Sequence, residues 1–144
     1  MISMSVLRKY WAAMPGRVPG LRGACALSVD ANMATKVGAI GEDDTPVLFY
    51  LPPTGRGRGY LDASREDTAL VLFVMQKYNP RKTTPEAVLE AVQPVAEAIK
   101  ERLLADAAYA CGPVRVNPST ITTVPETEFF NNWAGWTLAF NLLP

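Results

Sequence analysis

Residues 69–75 read Ala-Leu-Val-Leu-Phe-Val-Met, followed by Lys77-Tyr-Asn-Pro-Arg-Lys-Thr-Thr84 and then by an unbroken helical pattern to about Ala105. The first run is apolar at both odd and even positions, the pattern of a strand covered on both faces. Seven residues is short for a buried helix. Pro85 suits a first helical turn, where its missing N–H costs nothing, and Thr83 or Thr84 can cap the free amides; Thr83 with Glu86 has capping-box spacing. Val88, Val92, Val95, Ile99 and Leu103 then recur at intervals of three and four, widened by Leu89, Ala96 and Leu104. Glu86, Glu90, Glu97, Lys100 and Glu101 fall on the other side, so one face meets a sheet and one meets water or a neighbour. Pro94 removes a helical hydrogen bond and predicts a kink costing about 3 kcal/mol unless packing compensates.

A chain of 144 residues is large enough for one domain with a real core, and 49% hydrophobic against 19% charged residues reads as globular. Lys+Arg 14 against Asp+Glu 14 leaves no net charge, so no whole-protein field is expected to draw in nucleic acid or an anionic membrane, which leaves room for a local patch. A neutral, apolar-rich chain is poorly protected from self-association, which favours an oligomer. There is no histidine, which removes the most common proton shuttle and metal ligand. Cys25 and Cys111 belong to no Cys-x-x-Cys pair and read as reduced, buried thiols rather than a disulfide. No apolar run reaches the ~20 residues of a membrane span.

Working outward, residues 3–14 (SMSVLRKYWAAM) form a short amphipathic helix with Val6, Leu7, Tyr10, Trp11 and Met14 on the apolar side, capped by Ser3 or Ser5 and stopped by Pro15-Gly16. Residues 23–33 predict a strand, 36–44 a loop, and 46–51 (PVLFYL) a second strand closed by Pro52-Pro53. These two strands read as an antiparallel pair with a long tip. Residues 54–67 (TGRGRGYLDASRED) are the most polar stretch and read as a loop. After the long helix come short strands at 114–116 and 121–124, an interruption at Pro125-Glu-Thr-Glu128, and a closing strand at 135–142 with Trp136, Leu138, Phe140 and Leu142 on one face. The expected fold is α+β: a single domain, residues 1–144, with one mostly antiparallel sheet packed by one long amphipathic helix and a short N-terminal helix.

No reaction motif stands out. Gly55-Arg-Gly-Arg-Gly59 lacks the Lys-Ser/Thr of a phosphate loop and the strand–turn–helix setting of a dinucleotide site. Arg56 and Arg58 suit contact with an acidic partner or a nucleic-acid backbone, or a solvated turn. Glu42-Asp43-Asp44 lacks the alternating acids of a calcium loop and reads as a solvated tip. Nothing separates the acidities of Asp62, Glu66 and Asp67, and Ser28, Ser64 and Ser119 have no base and no nucleophile elbow. Phe129-Phe-Asn-Asn-Trp-Ala-Gly-Trp136 could stack bases; as core, or with Trp133 in a subunit interface, it fits more ordinary roles. No catalytic residue, cofactor site or metal site is expected.

The element order, with the phrases Val74-Met-Gln-Lys-Tyr-Asn79, "IKERLLAD" at 99–106 and Asn131-Asn-Trp-Ala-Gly135 leading into the last strand, resembles the tail terminator (tail completion) proteins of tailed bacteriophages and, more loosely, their head–tail joining relatives. The resemblance covers most of the chain through element order and loose phrasing. It implies a small non-enzymatic subunit of the virion tail or neck, assembled in the host cytoplasm. It further implies that copies form a ring, commonly a hexamer, on the last ring of the tail tube protein, and that the ring offers a surface to a neck or head-completion protein. DNA passes through such a ring, so Arg56, Arg58 and Arg65 are expected at the lumen or a neighbouring ring, by loop character rather than by a motif match. Glu97, Lys100 and Glu101, with Glu90, are expected to meet an adjacent subunit or water. A neck or connector protein of the same particle, and a small non-viral ligand-binding subunit, are the other two readings.

Overall fold

A computed structural model describes residues 2–27, 33–59 and 65–143. The organising strand is longer than its apolar core: β4 runs Arg65–Lys77. It pairs antiparallel with β2 (Val47–Tyr50) on one side and with β6 (Trp133–Asn141) on the other. The sheet order is β1-β2-β4-β6-β5, with β1 at Gly23–Ala26, β5 at Thr122–Phe129, and β3 (Thr54–Arg58) also pairing with β4. The α+β class with a mostly antiparallel sheet and one long packing helix is therefore what the chain adopts.

Both faces of β4 are covered, which explains its unbroken apolar run. Leu70, Leu72 and Val74 meet Leu48, Tyr50, Leu138 and Phe140 on the face that carries α1 (Met4–Arg17) and α3 (Pro85–Ala108). Met75 joins Val47, Phe49 and Trp133 on the other face, under α2 (Met33–Gly38). The α3 stripe read from spacing is buried as expected: Val88, Val92, Val95, Ala96, Ile99 and Leu103. Thr84 caps it by accepting from the Ala87 N–H at 3.3 Å. Pro94 is exposed and the helix runs through it without interruption. In α1, Leu7, Tyr10, Trp11 and Met14 are buried at helical spacing, whereas Val6 stands 38% exposed.

Several expectations are corrected. Residues 54–67 are not simply a loop: 54–58 form β3 and 65–67 begin β4. β1 and β2 pair in parallel, Gly23 with Val47 through Ala26 with Tyr50, because α2 carries the chain back to the same end of the sheet. The first strand stops at Ala26, and α2 with a 3-10 turn at Glu42–Asp44 occupies most of the expected loop. Helix α1 does not end at Pro15 but continues to Arg17. β5 runs through Pro125 and Glu128 with a bulge between Glu126 and Phe129, which an outermost strand tolerates because one edge needs no partner. Val114–Val116 makes only a bridge from Val116 to Leu142. The thiols are free as expected, yet Cys25 is half-buried and Cys111 exposed.

Candidate functional site

The β6 ladder on β4 ends at Ala69↔Asn141, while β4 itself starts at Arg65. Over the intervening residues its strand partner is β3, with Arg58↔Arg65, Gly57↔Glu66, Arg56↔Asp67 and Gly55↔Thr68 in register. A ribbon two strands wide thus projects past the body of the sheet. Glycine and arginine have little preference for strands; a buried strand running on into the ribbon supplies the ladder that local propensity does not. Alternation puts Gly55 and Gly57 on one side of β3 and Thr54, Arg56 and Arg58 at the intervening positions. A Cβ built on Gly57 would meet nothing within 4 Å, so that side is open to close approach. Gly59, at φ +94°, ends the strand.

The ribbon collects the three arginines expected at an interface. Arg56 is exposed on β3 opposite Asp67, and the backbone sets Arg58 opposite Arg65. Asp62, Ser28 and Ser64 lie outside the described residues. Exposed ribbon side chains carry little folding energy: Arg56→Ala is expected to change stability by less than about 0.5 kcal/mol in urea titration.

The other expected residues are dispersed. Trp133 is 2% exposed and stacks edge-on against Phe49 at 5.4 Å and 74°, so within one chain it belongs to the core rather than to an interface. Glu97 and Glu101 are exposed on α3 and Lys100 is partly so. The Glu42–Asp44 turn is exposed, and among the described residues no three His, Cys, Asp or Glu side chains gather as a metal site would require. A groove of about 310 Å³ lies between α2 and the β5–β6 turn, lined by Val37, Lys77, Phe130 and Trp133. Lys77 there donates to the carbonyls of Gly38 and Ile40, at 3.2 and 3.0 Å. Its ammonium closes the end of α2.

One constellation went unread in the sequence. Asp106 is 5% exposed; Tyr10 Oη donates to Oδ2 and Arg17 Nη2 to Oδ1, both at 2.6 Å. Burial alone would raise the Asp106 carboxyl, but hydrogen bonds from Arg17 and Tyr10 and the charges of Arg17 and Arg102 hold it below its ordinary value. Burial first, then the bond to Asp106, pushes the Tyr10 hydroxyl well up. Each carboxylate oxygen accepts one of these hydrogen bonds and the phenol keeps its proton, so the cluster fastens α1 to the end of α3. An acid continuing the stripe Ile99, Leu103, Asp106 was the available signal.

Comparison of the chain with protein-family models, with curated proteins and with solved structures finds no match. Among the described residues no helix is long and apolar enough to cross a membrane.

Proposed function

We propose that this protein is a structural subunit of a phage-type tail, forming a ring that ends the tail tube and joins it to the head-side neck. The observation that carries the reading is the ribbon of β3 and the start of β4. A two-stranded ribbon is marginal alone in water and gains its stability by lying on another surface. The parts of the resembling element order that the chain keeps, a short N-terminal helix, a central buried strand, a long amphipathic helix and a closing strand, support the reading, and no step of it requires the protein to catalyse a reaction. In this role Arg56, Arg58 and Arg65 contact a neighbouring subunit, the tube end or the DNA that passes.

The reading is tested by light scattering and negative-stain microscopy of the purified chain, alone and mixed with isolated tail tubes. Rings whose mass is a multiple of the subunit, seated on tube ends, are the expected result. A chain that stays monomeric at high concentration, leaves tube ends bare and turns over a small molecule would sink it.

A further inference from the structure

In an antiparallel ladder the N–H and C=O of successive residues turn to alternate sides, so the register fixes which backbone groups look outward. The Leu142 N–H donates to the Thr68 carbonyl at 2.8 Å and the Leu51 N–H to the Val71 carbonyl at 3.1 Å. Even-numbered residues of β4 therefore serve β6, and odd-numbered ones serve β2 and β3. The odd set Ala69, Asp67 and Arg65 pairs with Thr54, Arg56 and Arg58. Facing away from β4 are the N–H and C=O groups of Gly55 and Gly57, on a strand exposed from Thr54 to Gly57. Among the described residues no strand pairs with that side of β3.

The outermost strands of the sheet are better guarded. β6 turns its odd-numbered residues to β5, through Ala139↔Thr122, Thr137↔Val124 and Gly135↔Glu126, so β5 faces outward with Thr123 and Pro125. Pro125 has no N–H to offer there, a common guard on an edge strand. In β1, Gly23, Ala24 and Cys25 are half-buried. β3 has neither protection: its outward residues are exposed and carry no side chain and no proline ring.

Resting on the ribbon as the contact surface of the ring reading above, we infer that the outer edge of β3 accepts an extended segment of a partner protein as an added strand. Set antiparallel, the segment places one residue opposite Gly55, one opposite Gly57 and one opposite Arg56 between them. A Cβ on Gly57 would meet nothing within 4 Å, so bulky side chains of the segment cover bare backbone at the glycines. Arg56 is exposed with Asp67 on its β4 side, and an acid on its outer side completes a cross-strand row. A second β3 does not answer this edge. Joining Gly55 of each copy to Gly57 of the other sets the two Arg56 side chains directly opposite, where like charges repel. β5 does not answer it either, since Pro125 withholds a donor.

The probe is a fluorescein-labelled peptide of alternating valine and glutamate, titrated with the whole chain and read by fluorescence anisotropy. With valines opposite Gly55 and Gly57, it is the valine N–H groups that face β3. The peptide N-methylated at its valines should therefore not bind, whereas the peptide N-methylated at its glutamates should bind as the parent peptide does. Gly57→Pro removes one outward donor, leaves the Arg56 and Arg58 pairing with β4 in place, and should weaken binding about tenfold. Gly57→Ala keeps the donor and should bind within about threefold of the parent. Should Gly57→Pro not fold, the two methylated peptides still decide. Equal binding of both methylated peptides, or a parent chain that ignores the unmodified one, overturns the strand edge even where rings form on tube ends. A chain that binds the peptides in the expected order but never forms rings keeps the edge and removes the ring.

Discussion

Gly135→Ala is expected to cost about 3 kcal/mol or more, a large share of the 5–15 kcal/mol that holds a domain of this kind together. Gly135 lies inside β6 opposite Met75 of β4. A Cβ there would sit 1.9 Å from the Val74 carbonyl oxygen and 2.9 Å from both the Met75 Cα and its sulfur. Two of those atoms are backbone of the central strand, so no rotamer change relieves the clash; β4 and β6 must separate. Elsewhere the same substitution stabilises slightly by restricting the unfolded chain. Gly57→Ala is the control: its Cβ meets nothing within 4 Å, and the change should stay within about 1 kcal/mol. Urea midpoints of the two variants make the comparison. A Gly135 variant as stable as the parent would mean that the two strands do not approach this closely.

Asp106→Ala has the second large effect, about 3 kcal/mol, because it strands the Tyr10 hydroxyl and one guanidinium beside a buried position. The Arg17 side chain keeps 30% exposure and recovers part of its solvation, which holds the cost at the lower end of such changes. The cluster also fixes a pH dependence. The Asp106 carboxyl is depressed on folding, so its contribution is whole above the ordinary carboxylate value of about 4 and is lost as pH falls below it. The Tyr10 hydroxyl is raised on folding, so its contribution is whole below about 10 and is lost as pH climbs above that. Because burial, the larger cause of the Tyr10 shift, persists in the variant, the gap between the two stability profiles should hold through neutral pH and narrow as pH falls below about 4. A gap unchanged from about pH 7 down to about pH 3 would show that the Asp106 carboxyl does not titrate with folding.

The functional reading turns on a segment that local sequence describes poorly. Thr54-Gly-Arg-Gly-Arg58 has the composition of a solvated turn, and only the continuation of β4 makes it a strand. The arginines were legible as interface candidates from charge and glycine content; their cross-strand register was not. Trp133 was legible as core or interface, and packing against Phe49 puts it in the core of the single chain.

By itself the sequence determined the parts whose signals are local. The spacing of Val88, Val92, Val95, Ile99 and Leu103 named the buried face of α3, Thr84 and Pro85 its start, and alternation from Trp136 to Leu142 the inward side of β6. Tertiary structure alone decided three things. β1 runs parallel to β2 because α2 returns the chain across the sheet. Asp106 finds its donors on a helix 89 and 96 residues earlier in the chain. The ribbon exists because a buried strand extends past its neighbour. Periodicity and capping act within a few residues, whereas pairing partners and buried charges are settled by whichever distant segments the packed core brings together.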